Sequence, residues 1–242
     1  MKEFELLQYI YSSSQTQDNQ VIIGPGDDMA FLSIANQPLL AGVDQLIVGI
    51  HLAEDTPPDL IGRKVVARSF SDIAAMGGTP VASLMTAAMP PKTDNSWAIS
   101  VFEGAQNAAR KWGGAIVGGD IASTTVSTPP SFTVTALATP PHCGPARRTA
   151  AKLGDNIFVT GTLGNSLAEH HLSFTPRIEE AKLLFDAVQI HAMIDISDGL
   201  GQDASHLATD SLQLVIDSSL LPLREGANIM NALSDGEDYE LL

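Results

Sequence analysis

The chain has 242 residues, with 13 Lys and Arg against 28 Asp and Glu and a formal net charge of -15 at pH 7. So acidic a balance argues against unassisted binding to a nucleic-acid backbone, and any phosphorylated small ligand would need bound divalent cations to enter an acidic site. A hydrophobic content of 44% without a long apolar run predicts a folded core and no membrane span, while the single cysteine, Cys143, excludes an intrachain disulfide and suits a reducing cytoplasm.

The N-terminal Met1-Lys2-Glu3-Phe4-Glu5 lacks the basic-then-apolar pattern of a secretory signal. Apolar residues recur at helical spacing over residues 3–12, and a polar loop follows. Val21-Ile22-Ile23 reads as a strand running into Gly24-Pro25-Gly26-Asp27-Asp28. That turn fails the dinucleotide fingerprint, because Met29 stands where the third glycine belongs, and no Gly-Lys-Ser/Thr phosphate loop occurs anywhere. Paired aspartates after a tight turn suit a hard cation with oxygen ligands, or a solvated β-turn.

Residues 39–43 are predicted as a strand ending at Asp44, and residues 46–52 as a second strand carrying His51. A lone histidine is more often a structural residue than a site residue. Pro57-Pro58 opens a long helix, which Gly77-Gly78-Thr79-Pro80 stops. Within it lies Ser71-Asp72-Ile73-Ala74-Ala75-Met76-Gly77, where small residues beside Asp72 predict close packing of a buried or ligated carboxylate.

Residues 81–89 are strand-like, and Asp94 caps a helix in which Trp97, Val101, Ala105, Ala108 and Trp112 form an apolar core stripe. Gly113-Gly114 ends that helix, residues 115–117 form a buried strand, and Gly118-Gly119-Asp120 is a further acidic turn. Residues 132–138 alternate as a strand, and Pro140-Pro141-His142-Cys143-Gly144-Pro145 reads as a connection between two lobes.

The most basic cluster, Arg147-Arg148 with Lys152, suits phosphate oxygens or a solvated turn. A strand at 157–159 and a helix at 179–188 follow. The short apolar run Ala192-Met193-Ile194 then ends in Asp195-Ile196-Ser197-Asp198-Gly199-Leu200, a strand-to-helix turn of the kind where ligands collect in open α/β sheets. The plainer alternative is that Ser197 or Asp198 caps the helix over 200–208. A strand at 212–216, a turn at Pro222-Leu223 and a short helix at 227–233 precede the closing Gly236-Glu237-Asp238-Tyr239-Glu240-Leu241-Leu242.

Asp27-Asp28, Asp44, Asp72, Asp120 and Asp195/Asp198 mostly follow short apolar strands, which places them toward one edge of the structure. Many carboxylates at one site imply several Mg²⁺ ions, and several ions imply a polyphosphate that bridges them. The residues alone thus reach a metal-dependent phosphoryl-transfer or ATP-using enzyme.

Five motifs, Gly26-Asp27-Asp28, Ser71-Asp72-Ile73-Ala74-Ala75-Met76-Gly77, Gly118-Gly119-Asp120, Asp195-Ile196-Ser197-Asp198-Gly199-Leu200 and Gly236-Glu237-Asp238-Tyr239-Glu240-Leu241-Leu242, together resemble the thiamine-monophosphate kinase family. That family belongs to the ATP-binding superfamily of aminoimidazole ribonucleotide synthetase, selenophosphate synthetase and a hydrogenase-maturation protein. The resemblance implies an α/β (α+β) protein with an N-terminal mixed-sheet domain, residues 1–140, which binds ATP and Mg²⁺ and forms a homodimer. It further implies a C-terminal α/β domain, residues 145–242, shortened because family members continue past the last motif.

Matched position by position, the resemblance assigns Asp28, Asp44, Asp72, Asp120, Asp195 and Asp198 to metal binding. It assigns Gly119, Asp120, Arg148 and Ser197 to the nucleotide, His51 and Glu237 to the substrate, and Asp198 and Arg148 to catalysis. The implied reaction moves the ATP γ-phosphoryl group onto thiamine monophosphate, giving thiamine diphosphate in the cytoplasm, with no nucleic-acid or membrane partner. Gly42-Val43 departs from the Ser/Thr-Thr that usually precedes the aspartate, and Ile121-Ala122 from a usual Thr-Thr. These departures keep two alternatives open: another enzyme of the superfamily with a different acceptor, and a nucleotide- and metal-binding homologue without catalysis.

Overall fold

The computed structural model describes residues 6–7, 9–11 and 19–242. Leu6, Leu7 and residues 9–11 are helical, as predicted, while the rest of the expected first helix lies outside the described residues. The sheet contains β1 (Val21–Ile23), β2 (Ala30–Ile34), β3 (Gln37–Ile47), β4 (Thr79–Met89), β5 (Ile116–Ser123) and β6 (Ser131–Thr139), in the order β1-β2-β3-β6-β4-β5. Its neighbours are antiparallel except β4 and β5, which are parallel and joined through a crossover helix. Two helices, α1 (Pro58–Ala75) and α2 (Asn95–Lys111), cover one face.

β6 shows why only one face is covered. Phe132, Val134, Ala136 and Ala138 alternate inward and share a buried cluster with Ile61, Val65, Phe70 and Ile73 of α1. On the sheet's other strands Val43, Val81, Leu84, Val117 and Ile121 are exposed. The two helices lie unusually close because each presents a glycine. A Cβ on Gly62 would stand 1.8 Å from the Val101 carbonyl oxygen, and one on Gly104 would stand 2.1 Å from that of Asp59.

Within the sheet, two predicted details are corrected and one strand is added. The strand expected at 39–43 does not end at Asp44 but continues as β3, whose pairing with β6 runs unbroken from Leu40↔Ala138 through Asp44↔Val134 to Ile47↔Ser131. Of the second strand expected at 46–52, only Leu46 and Ile47 belong to β3, and His51 lies in the turn that follows. A ladder is made of backbone bonds, so a charged side chain does not interrupt it. Gly118-Gly119-Asp120 is likewise no turn but lies inside β5, and a Cβ on Gly119 would meet the Met85 carbonyl oxygen at 1.7 Å. The glycine serves close approach of a neighbouring strand. β2 has no predicted counterpart: it returns into β3 through Ala35-Asn36, both left-handed at φ 50 and 63, a turn without the usual glycine signal.

Beyond β6 come the helices α3 (His170–Ser173), α4 (Ile178–Ala187), α5 (Leu200–Leu207) and α6 (Ile229–Ser234). A second core gathers Leu163, Ile194, Ile196, Leu200, Ala204 and Ala232. The first core nevertheless takes in Ile178, Ala181, Met193 and Leu241 from this half of the chain. The strands predicted at 157–159 and 212–216 do not form, and Phe158 and Val215 are exposed. β-favouring residues make a strand only where another backbone lies in register. The run ending at Asp195 finds such a partner in the last motif, since Ile194 and Leu242 exchange N–H···O bonds at 3.0 and 2.9 Å. Among the described residues, no helix is long and apolar enough to cross a membrane.

Candidate metal and nucleotide site

Three carboxylates from distant parts of the chain meet at one point. Asp28 ends the glycine turn after β1, Asp72 sits in the last turns of α1, and Asp195 lies on the segment paired with Leu241. One oxygen of each lies within 4.8 Å of the others. Burial, with charge from the neighbouring carboxylates, pushes Asp28 up to about 7 and Asp72 well above the usual carboxylate range. Burial likewise pushes Asp195 up to about 6, although the Ser71 hydroxyl donates to its Oδ2 at 2.6 Å. Converging buried carboxylates are stable as anions only beside positive charge. Among the described residues, Asp28 Oδ2 is buried with no hydrogen-bond partner, so the oxygen set fits a hard divalent cation.

Arg148 borders the same point. Its Nη2 donates to Asp28 Oδ1 at 2.5 Å and its backbone N–H to Asp27 Oδ1 at 3.3 Å, while its Nε is buried without a partner among the described residues. A cleft of about 420 Å³ lies alongside, lined by Gly24, Pro25, Asp27, Asp28, Met29 and Val43 among others.

Asp44 belongs to a second, connected group. Arg68 donates from Nε to Asp44 Oδ2 at 2.7 Å and from Nη2 to Oδ1 at 3.1 Å, and its Nη1 lies 3.5 Å from Glu237 Oε1. Lys64, fully buried, places Nζ 2.6 Å from Glu237 Oε2, 2.6 Å from the His51 carbonyl oxygen and 2.8 Å from His171 Nδ1. Burial lowers the Lys64 pKa, and the Glu237 charge opposes that shift. Burial first, then the nearby cations Arg68 and Lys64, lowers His51 and His171 respectively, favouring neutral rings. His51 Nδ1 accepts the Ile47 N–H at 2.8 Å, so its neutral ring carries the proton on Nε2.

The last motif divides by role. Asp238, fully buried, accepts from Arg224 Nη1 at 2.7 Å and from the Gly164 N–H. Glu240 accepts from Arg177 Nε at 2.6 Å and Nη2 at 2.7 Å, and from Thr160 Oγ1 at 2.7 Å. Tyr239 stacks on Phe174 with centroids 4.2 Å apart. These three anchor the segment, and Glu237, left-handed at φ 59, is the member that reaches Lys64 and Arg68.

Asp198 is exposed, with Gln202 Nε2 donating to its Oδ2 at 3.2 Å, and Ser197 uses its carbonyl to accept the Glu237 N–H at 2.7 Å. Gly119 and Asp120 are exposed on β5, and Asp120 is outside the three-carboxylate group. Asp203, absent from the predicted set, is buried and accepts the Asp198 N–H at 2.9 Å, fixing the turn that carries Asp195 and Asp198. Its only sequence signal is an aspartate in the first turn of a helix, which ordinary dipole complementarity explains equally well. Lys64 and Arg68 were missed for a similar reason, because basic residues on a helix read as a solvated face.

Residues 26–139 match the family described as AIR synthase related protein, N-terminal domain, which sets the class of the sheet domain. The chain is 38% identical over 243 residues to thiamine-monophosphate kinase of Rhodopirellula baltica, covering 92% of this chain and 76% of the relative. With the enzyme of the same name from Escherichia coli K12 it shares 32% over 270 residues, covering 99% and 81%. A solved structure described as AaThiL complexed with AMPPCP and TMP matches with a TM-score of 0.87 at 31% identity, over 99% of this chain and 83% of that one. The chain belongs to the thiamine-monophosphate kinase family.

Proposed function

We propose that this protein transfers the γ-phosphoryl group of ATP to the phosphate of thiamine monophosphate, giving thiamine diphosphate and ADP. The observation that carries the proposal is the buried Asp28–Asp72–Asp195 group, with Asp28 Oδ2 unsatisfied and Arg148 beside it. These three residues would hold Mg²⁺, which when bound neutralises phosphate charge and aligns the polyphosphate. The chain's own work is positioning. Arg148 offers a guanidinium whose Nε has no partner among the described residues, and guanidinium forks suit phosphate oxygens.

The acceptor is itself an ionised phosphate at neutral pH, so no strong general base is required. We assign the acceptor side to His51, held neutral, and to Glu237, which Lys64 and Arg68 fix in place. We assign the nucleotide side to Gly119, Asp120 and Ser197, and the exposed Asp120 and Asp198 would meet cations that arrive with the nucleotide. The open sheet face bearing Val43, Val81 and Leu84 favours a homodimer that stacks two such faces. Residues 1–140 and 145–242 would form its two domains, working in the cytoplasm, where ATP is at hand.

The test is incubation of the protein with ATP, Mg²⁺ and thiamine monophosphate, followed by chromatography. Thiamine diphosphate and ADP in equal amounts are expected. Retained Mg²⁺-nucleotide binding without thiamine diphosphate would overturn the acceptor assignment.

A further inference from the structure

Asp44 is matched by resemblance to a metal position, yet both of its carboxylate oxygens are engaged by this chain's own donors. Arg68 grips it with two hydrogen bonds, Nε to Oδ2 at 2.7 Å and Nη2 to Oδ1 at 3.1 Å, and the Gln45 N–H donates to Oδ1 at 2.7 Å. Arg68 leaves α1 one turn before Asp72, and its side chain is 14% exposed. Its remaining nitrogen, Nη1, makes no hydrogen bond among the described residues and lies 3.5 Å from Glu237 Oε1.

We propose that Arg68 is a built-in cation: it supplies at Asp44 the positive charge that a divalent ion would otherwise supply, and Asp44 ligates no metal in this chain. Three physical points carry this. A guanidinium stays charged at any working pH, and its planar fork matches both oxygens of a carboxylate. The fork is held from behind by Glu237, which is itself tied to Lys64. An ion at Asp44 would have to displace it and leave a largely buried charge with one distant partner, an arrangement proteins avoid. The Asp44 charge still reaches Asp72 and Asp195, so compensating it internally matters to the neighbouring cation site.

The inference deepens the proposed function, resting on it only for the assignment of cations to Asp28, Asp72 and Asp195, and its test counts ions instead of product. Mn²⁺ would be titrated, with electron paramagnetic resonance detection, into the protein holding a non-hydrolysable ATP analogue. The variants are Asp44→Asn, Arg68→Met and the double variant, with circular dichroism to verify folding. Asp44→Asn is expected to bind as many Mn²⁺ ions as the unaltered protein with affinity within about twofold, against the roughly 10- to 100-fold loss typical of a disturbed metal shell. Arg68→Met should gain one Asp44-dependent ion, absent from the double variant. Loss of an ion or a tenfold weakening in Asp44→Asn, or no gain in a folded Arg68→Met, would overturn the inference. Should Arg68→Met fail to fold, Asp44→Asn decides alone. Asp72→Asn in the same titration reports separately on the three-carboxylate group: unchanged Mn²⁺ binding there would refute the proposed function's site.

Discussion

Asp203 is a carboxylate with a positioning task. Burial raises it from 3.8 to about 7, and its oxygens hold the Asp198 N–H. The folded pKa exceeds the unfolded one, so the native state holds the extra proton. The stability linked to that proton is whole below 3.8 and is lost as pH rises through about 7. Asp203→Asn keeps an acceptor oxygen but no charge. Its stability relative to the unaltered protein should therefore climb between pH 4 and 8, by at most about 4 kcal/mol for a shift of this size. Denaturant unfolding across that range checks this, and a flat difference would refute it. Arg224 makes a second case, because Asp238 depends on it inside the core. Arg224→Ala should lower unfolding free energy by about 3–5 kcal/mol, since it strands a buried charge. Asp28, Asp72 and Asp195 were legible in the sequence because each breaks a local pattern, following a glycine turn, sitting among alanines or closing an apolar run. Asp203, Lys64 and Arg68 sit where a helix ordinarily carries charge, and only tertiary packing reveals them.

At the scale of elements, Gly62 and Gly104 set the spacing of α1 and α2 and so the position of Asp72 and Arg68 on α1. Gly104→Ala would drive a methyl against the Asp59 carbonyl and should cost about 1–3 kcal/mol, typical of overpacking. A lowered melting temperature checks it, and unchanged melting would mean that the helices are freer to part than the geometry indicates. Both helices were predictable from their caps: Pro57-Pro58 and Gly77-Gly78 bound α1, and Asp94 accepts the Ser96 and Trp97 N–H groups at the start of α2. The strands were legible only as apolar runs. Where they start and stop depends on partners, which is why β3 continues through Asp44, why β5 contains its glycines, and why 157–159 stays unpaired.

At the scale of the molecule, a net charge of -15 and three carboxylates with oxygens within 4.8 Å of one another lead to the expectation that cations stabilise the native state. A ligand that binds only the native state raises its stability in proportion to the logarithm of its excess over Kd. The melting temperature should accordingly rise more with Mg²⁺ and ATP together than with ATP alone, and equal shifts would count against a metal-bridged nucleotide. The open sheet face makes an independent claim: Val43→Glu with Val81→Glu should shift the protein toward monomer in light scattering, leaving helix content unchanged. A dimer indifferent to both charges would place the interface elsewhere. The most direct measurement of the whole account is calorimetric titration of Mg²⁺ with a non-hydrolysable ATP analogue into the protein and into Asp195→Asn. The site described here predicts binding weakened by about tenfold or more in the variant, as for disturbed metal shells, with metal-free nucleotide bound equally poorly by both. Equal Mg²⁺-nucleotide affinity in the two proteins would contradict it.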